Sequence, residues 1–331
     1  MKKLIRFLAI VVVAALLLAA GAVGLSHIVY GRSLKATLYE LDLRRRFATD
    51  RTAESEVARL EERRATPEKP YAIPKGLKIE SDVSESDQNG LQVFTLRAES
   101  APSDTPLVLY LHGGAYINPF NAYQWRLMDR LTQLTGCETV APAYHLAPWA
   151  DYARAYDDLT ALYLELVSND PARRVVLMGD SAGGGLALGL AEHLLKRGDP
   201  MPEQLVLFSP WVDVSMDNPD IPALVPVEPM LHLELVKVHG EYWAGDAGTH
   251  HWQVSPLFGD MAGLPPVTLY CGTRELLYPD ILLARDALAS AGVDVDLRVG
   301  RGLNHDWPLM PLPEAKAALR YVAALVQGTE G

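Results

Sequence analysis

The stretch Val175-Val-Leu-Met-Gly-Asp-Ser-Ala-Gly-Gly184 joins an apolar run to a tight turn with a serine at its tip. Its centre, Gly179-Asp-Ser-Ala-Gly183, fits the pattern G-x-S-x-G, in which a strand ends in a sharp turn and a helix leads the chain away. The glycines leave room for a strained turn, so the serine oxygen projects where a substrate can reach it. The apolar residues before the turn and the helical spacing from Leu186 onward agree with this interpretation. The stretch therefore predicts a strand–turn–helix unit that presents Ser181 as a candidate nucleophile.

Short apolar strands alternate with helical stretches on both sides of this unit, from Gly76 to the end of the chain. The predicted strands are 77–83, 91–96, 106–111, 138–143, 174–178, 205–208, 267–271 and 293–299. The predicted helices are 122–135, 152–169, 185–197, 280–291 and 313–327. We expect the first two strands to form a hairpin with 84–90 as its polar turn. The alternation that follows predicts an α/β fold, with a mostly parallel sheet of about eight strands and helices on both faces.

Composition and charge exclude several classes of function. The 331 residues are 49% hydrophobic and 21% charged, which is typical of a globular protein. A net charge of -11 argues against a nucleic-acid partner, because phosphate binding requires clustered Lys and Arg. Cys137 and Cys271 have no CxxC spacing and border separate predicted strands, which favours two buried thiols. His250-His251, even with His239, lacks a spacing that indicates a metal site, so we expect no metal.

The first 31 residues differ from the rest of the chain in composition. Three basic residues lie within the first six positions, and an apolar or small-residue run follows from Phe7 to Leu25. Such a run can span a bilayer as a helix of about 20 residues, and the basic residues favour a cytoplasmic N-terminus with the remainder exported. The alternative is a cleaved signal peptide, with Ala20-Gly-Ala22 as the site. We therefore expect a single-pass anchor that holds the domain on the exported side of the cytoplasmic membrane, or a secreted or periplasmic protein if the segment is cleaved.

Two further segments interrupt the α/β alternation. Residues 32–75 interleave leucines with clusters such as Arg44-Arg-Arg46, which predicts amphipathic helices that serve either as a solvated linker or as a cap over the active site. The α/β domain then occupies residues 76–331. Within it, residues 213–251 contain four prolines and one helical stretch, which indicates an insertion that caps a substrate pocket at the strand-end side of the sheet.

A serine hydroxyl is a poor nucleophile at neutral pH and needs a base within hydrogen-bond reach. Of the nine histidines, His305 lies in Gly302-Leu-Asn-His-Asp-Trp-Pro308, a polar loop between the last predicted strand and the last predicted helix. A loop at that end of the sheet can reach the serine turn. His305 is therefore the predicted base.

A carboxylate must orient the imidazole and stabilise its protonated form. The loop after Val267-Thr-Leu-Tyr-Cys271 offers Glu275 and Asp280. Glu275 is in mid-loop, whereas Asp280 follows a proline and begins a helix, where an acidic residue is favoured by the helix dipole. We favour Glu275 and keep Asp280 as the alternative. The order Ser181, Glu275, His305 is that of α/β hydrolases.

A negative charge that develops on a substrate oxygen needs fixed N–H donors. Leu111-His-Gly-Gly-Ala115 follows a predicted buried strand, and its glycines allow the backbone to approach a ligand closely. We expect the donors to be Gly113 and Gly114 from this turn, together with Ala182, the residue after the candidate nucleophile.

Together these motifs resemble the hormone-sensitive-lipase-like branch of the α/β hydrolases. The resemblance covers the chain from about Pro106 to its end. It rests on four segments, which are His112-Gly-Gly114, Gly179-Asp-Ser-Ala-Gly-Gly184, Ala143-Tyr-His-Leu-Ala-Pro148 and Ser209-Pro-Trp211. His145 stands where the family usually has arginine, Glu275 where it usually has aspartate, and Ala115 where a third glycine is common. A backbone donor survives the change at Ala115.

The resemblance implies hydrolysis of small-molecule carboxylic esters by a Ser-His-acid triad, without a cofactor and beneath a helical cap formed partly by the N-terminal segment. We expect short to medium acyl chains and an acyl-enzyme intermediate. Two alternatives stay open at this point: an amidase or deacetylase that uses the same triad, and a non-catalytic ligand-binding protein of the same fold.

Overall fold

The computed structural model of the protein describes residues 11–12, 20–21, 23–99 and 105–329. Eight strands in these parts of the chain form one sheet, in the spatial order β1-β2-β4-β3-β5-β6-β7-β8. The strands are β1 Asp82–Gln88, β2 Leu91–Arg97, β3 Leu107–Leu111, β4 Glu138–Ala143, β5 Val175–Asp180, β6 Gln204–Phe208, β7 Val267–Gly272 and β8 Val295–Gly300. The first two strands are antiparallel to their neighbours, and β3 to β8 run parallel. The sheet confirms the predicted α/β-hydrolase architecture.

Both faces of the sheet are covered, as β5 illustrates. Successive side chains of a strand point to opposite faces. Val175 and Leu177 accordingly belong to one buried hydrophobic core, and Val176 and Met178 belong to the other. Because β5 lies in the interior of a parallel sheet, its carboxyl end opens at the edge where ligands bind in folds of this kind.

Eight α-helices are labelled in chain order in the described part of the chain. They are α1 Leu34–Arg46, α2 Ala53–Arg64, α3 Ala122–Thr135, α4 Tyr152–Asn169, α5 Ser181–Arg197, α6 Leu233–Ala244, α7 Tyr278–Ser290 and α8 Pro313–Gln327. The bounds of α3, α4 and α8 are those predicted. The α5 helix begins four residues earlier than predicted because the serine turn passes directly into it.

The first two strands form the predicted hairpin, but the predicted position of its turn is wrong. The first strand begins at Asp82, includes most of the predicted turn and pairs with β2 down to Gln88 and Leu91. The turn itself is Asn89-Gly90, whose φ angles of 57° and 90° suit a two-residue hairpin loop. Since β1 is a largely exposed edge strand, its polar side chains meet water and do not oppose strand formation.

The N-terminal helices lie against the insertion at residues 213–251. In the insertion, a 3₁₀ turn at Ile221–Ala223 precedes α6. Glu56 of α2 is fully buried, and its carboxylate is 2.7 Å from Nε2 of His239 in α6. His232 Nε2 is likewise 2.7 Å from the Phe47 carbonyl. Residues 32–64 therefore share an interface with the insertion.

We expect the Glu56 contacts to make this interface sensitive to acid. Burial opposes ionisation of Glu56, but hydrogen bonds from Arg59 and His239 outweigh it and lower its pKa to about 2. Because the folded pKa lies below the unfolded value, Glu56 stabilises the fold above about pH 4.3, and this contribution is lost as the pH falls through 2. Glu56→Gln should lower the melting temperature at pH 7 by about 5 °C.

Thermal unfolding between pH 7 and pH 2 measures this effect. The matched control is Glu62→Gln, which alters an exposed glutamate of the same helix. If Glu56→Gln and Glu62→Gln melt alike at pH 7, the interface does not depend on the buried carboxylate.

The predicted anchor or signal peptide lies largely outside the described residues. Across the ranges that the structure does describe, none of the helices combines the length and apolar character needed to cross a bilayer.

Candidate active site

The serine turn lies where β5 passes into α5. Ser181 has a φ of 51°, a strained value for a residue with a Cβ atom. A Cβ atom on Gly179 would lie 2.3 Å from the Gly183 carbonyl oxygen, and one on Gly183 would lie 2.1 Å from the Leu111 carbonyl oxygen. Both positions therefore require glycine for steric reasons, and the turn presents the Ser181 hydroxyl at the carboxyl edge of the sheet.

The structure brings together the serine, the histidine and the glutamate that the sequence places far apart. Nε2 of His305 is 2.9 Å from Oγ of Ser181, and Nδ1 is 3.0 Å from Oε2 of Glu275. The other carboxylate oxygen of Glu275 accepts the Gly272 N–H at 2.9 Å. A carboxylate at Nδ1 favours the tautomer with the proton on that nitrogen, which leaves Nε2 free to accept the serine proton.

The alternative acid, Asp280, lies elsewhere. It is buried in the first turn of α7, where its carboxylate accepts a hydrogen bond of 2.7 Å from Asn218. Glu275 therefore lies against the imidazole, whereas Asp280 bonds to the insertion residue Asn218.

One of the three predicted oxyanion donors is wrong. The Gly113 N–H donates to Oδ1 of Asp180 at 2.9 Å and is therefore already engaged. In the same turn, the amides of Gly114 and Ala115 donate no hydrogen bond to any described residue. The Ala182 amide lies in the first turn of α5, where helical N–H groups have no partner within the helix. The geometry therefore offers Gly114, Ala115 and Ala182 as donors.

Asp180 explains why Gly113 is engaged. Its carboxylate also accepts from the Tyr110 hydroxyl at 2.5 Å and from Nε2 of Gln124 at 2.8 Å. Burial raises the pKa of Asp180, although these hydrogen bonds oppose the shift. The buried Asp180 side chain therefore holds the turn at residues 112–115 (the oxyanion turn) against the serine turn. No motif in the sequence indicates that the Asp180 side chain reaches Gly113.

Acidic groups around His305 increase its proton affinity. Burial alone would lower the pKa of His305, but the charges of Asp306 and Glu275 outweigh burial and raise it above the usual imidazole range. Oδ2 of Asp306 is 3.3 Å from Nε2 of His305. Burial raises the pKa of Asp306 well above its usual value, and the nearby charge of His305 opposes that shift.

The sequence did not predict that Glu228, in the insertion at residues 213–251, lies next to the triad. This buried side chain accepts the Leu276 N–H at 3.1 Å, directly beside Glu275. Burial raises the pKa of Glu228 to about 7. The insertion therefore contacts the loop that carries the acid.

Among the described residues, no group of three or more histidine, cysteine, aspartate or glutamate side chains is arranged to hold a metal ion.

The known proteins to which this chain is similar are hydrolases. The family described as alpha/beta hydrolase fold matches residues 108–309. The esterase LipU of Mycobacterium tuberculosis is 32% identical over 269 residues, which cover 78% of this chain and 90% of LipU. An acetyl-hydrolase of Streptomyces hygroscopicus is 30% identical over 236 residues, which cover 70% of this chain and 78% of that protein.

The chain is also similar to a solved structure. The crystal structure of an esterase from the bacterial hormone-sensitive lipase (HSL) family superposes with a TM-score of 0.77 at 27% identity, and the match covers 91% of this chain and 99% of that esterase.

Proposed function

Since the chain belongs to the α/β-hydrolase family, in its hormone-sensitive-lipase-like branch, we propose that it hydrolyses small carboxylic esters of short to medium acyl chain through an acyl-enzyme. The protein is a carboxylesterase-like or lipase-like serine hydrolase. The single observation that carries the mechanism is the chain of contacts from Ser181 through His305 to Glu275.

The geometry supports a two-step acyl transfer. His305 accepts the Ser181 proton as the serine oxygen bonds to the ester carbonyl carbon, and the carbonyl oxygen becomes an oxyanion. The free amides of the oxyanion turn and of Ala182 donate hydrogen bonds to that oxygen. The imidazolium then protonates the departing alkoxide, and the alcohol leaves. Water, deprotonated by His305, attacks the acyl carbon, and Ser181 recovers its proton as the acid is released.

Substrate preference is tested with p-nitrophenyl acetate, butyrate, octanoate and palmitate, and with the matched butyryl p-nitroanilide. The name of the acetyl-hydrolase relative supports short acyl groups, as does the low exposure of Ser181, at 8%. We expect kcat/KM to peak between acetate and octanoate, with the anilide far slower than the butyrate ester. A peak at palmitate, or an anilide that reacts as fast as the ester, would contradict the proposal.

A second part of the proposal concerns location. We propose that residues 1–31 hold the domain on the exported side of the cytoplasmic membrane, or are cleaved on export. The basic N-terminus and the apolar run from Phe7 to Leu25 support this. Cell fractionation with a carbonate wash, followed by N-terminal sequencing, distinguishes the two outcomes. An uncleaved chain recovered in the soluble cytoplasmic fraction would contradict both.

A further inference from the structure

A cluster of buried charges lies where α1 meets the loops of the triad. Glu40 and Arg32 are each only 4% exposed. The Glu40 carboxylate accepts hydrogen bonds from Nε and Nη2 of Arg274 at 3.0 and 2.9 Å, and it also pairs with Arg32. We call Arg32, Glu40 and Arg274 the N-terminal clamp. It joins residues 234 positions apart in the chain.

The clamp contacts both loops that carry the triad. Arg274 directly precedes Glu275 in the acid loop. Arg32 donates a second hydrogen bond, of 2.6 Å, to the carbonyl of Gly302 in the histidine loop. The two loops are also bonded to each other, since the Arg274 N–H donates to the Leu303 carbonyl at 3.0 Å. A single carboxylate on α1 therefore holds Arg274 of the acid loop and Arg32, which itself contacts the histidine loop.

The backbone of the N-terminal segment also lies directly on the histidine loop. Gly302 has a φ of +69°, and a Cβ atom there would lie 1.8 Å from the Tyr30 carbonyl oxygen. The next residues are fixed as well, because the Ser33 N–H donates to Glu314 at the start of α8 at 2.7 Å. The segment is therefore packed on the loop at several points, and the buried charges lie inside this contact.

Such a buried ionic cluster is better suited to fixing geometry than to increasing stability. Desolvating the charges costs free energy that their attraction regains only in part, so apolar packing would stabilise a fold at least as well. Ion pairs, by contrast, require particular partners and directions. Removing the carboxylate would leave three guanidinium groups, those of Arg32, Arg44 and Arg274, without their shared anion.

We propose that Glu40 is a positioning residue, which through Arg274 and Arg32 holds the Glu275 and His305 loops at the separation needed for proton transfer. This inference rests on the proposed function, because it concerns the geometry of the same triad. A displacement of about 1 Å in such a constellation can cost about 100-fold in rate. The clamp thus makes the efficiency of the triad depend on the N-terminal segment.

The kinetic test compares Glu40→Gln with Asp42→Asn on p-nitrophenyl butyrate, with kcat normalised to active-site titration. Asp42 is on the same helix, but it forms an exposed ion pair with Arg46 and contacts neither loop. We expect Glu40→Gln to lower kcat about 10- to 100-fold with KM changed less than twofold, and Asp42→Asn to resemble the wild type. Glu40→Asp should recover part of the loss. A kcat within twofold of wild type in folded Glu40→Gln overturns the proposal.

A spectroscopic test does not depend on turnover. The proton between Glu275 and His305 should give a downfield ¹H resonance that is absent from Glu275→Gln. It should shift or broaden in Glu40→Gln and stay in place in Asp42→Asn. If Glu40→Gln does not fold, Arg274→Gln replaces it, because that variant keeps the Arg32–Glu40 pair. A resonance unchanged in the clamp variants overturns the clamp, whereas a response without any ester turnover in the wild type overturns the proposed function alone.

Discussion

Replacement of Ser181 by alanine is expected to lower kcat for p-nitrophenyl butyrate by about 10⁶-fold, as removal of a triad serine does in subtilisin. Without Oγ no acyl-enzyme forms, and His305 Nε2 loses the hydroxyl that lies 2.9 Å away. Catalysis of about 10³- to 10⁴-fold over water should survive, because the backbone donors and the binding site are unchanged. Steady-state kinetics with purified protein measures the loss.

The backbone strain at this position supplies a control. Alanine must adopt the same φ of 51° that serine adopts, whereas glycine relieves that strain. Ser181→Gly should therefore lose as much activity as Ser181→Ala, which would separate the chemical role of Oγ from any disturbance of the turn. Labelling by a fluorophosphonate should vanish in both variants. Persistent labelling would place the nucleophile elsewhere.

The elements that the sequence predicts best are those with local start and stop signals. The α3 helix begins after Asn121, whose side chain forms a capping box with Gln124, and ends at Gly136 in a left-handed conformation. The serine turn is likewise encoded within five residues. Each of these signals lies within a few positions of the feature that it controls, so pattern and structure coincide.

The features that the sequence does not predict depend on contacts between distant positions. Gly113 was expected to be an oxyanion donor because its own motif suggests it, but Asp180, 67 residues later, occupies its N–H. The charged residues of α1 left open whether the helix is a solvated linker, yet Glu40 is buried and accepts hydrogen bonds from Arg274 across the fold. Such pairings are set by tertiary packing, and a single sequence carries no local trace of them.

Glu275→Gln is expected to lower kcat by about 10⁴-fold, by analogy with the aspartate-to-asparagine change in a serine protease triad. The amide can offer an N–H to Nδ1 of His305, which favours the tautomer with its proton on Nε2. That tautomer cannot accept the serine proton. Glu275→Asp should retain more activity, because it keeps the charge and only shortens the reach to the imidazole by about one methylene.

The matched control is Asp280→Asn, which tests the alternative acid directly. Burial raises the pKa of Asp280 to about 7, and its hydrogen bond to Asn218 opposes the shift. An amide of nearly the same shape therefore resembles a form that the carboxyl already adopts, and we expect less than a threefold change in kcat. A larger loss from Asp280→Asn than from Glu275→Gln would assign the orienting role to Asp280.

The Glu275 prediction also includes the direction in which the pH profile of activity should shift. His305 acts as a base only when neutral, so kcat/KM should rise with pH through its pKa. The charges of Asp306 and Glu275 hold that pKa above its ordinary value against the opposing effect of burial. Removal of the Glu275 charge should then move the acidic limb of the residual activity to lower pH, even as the plateau falls. A limb that stays in place would show that Glu275 does not act on the imidazole that removes the serine proton.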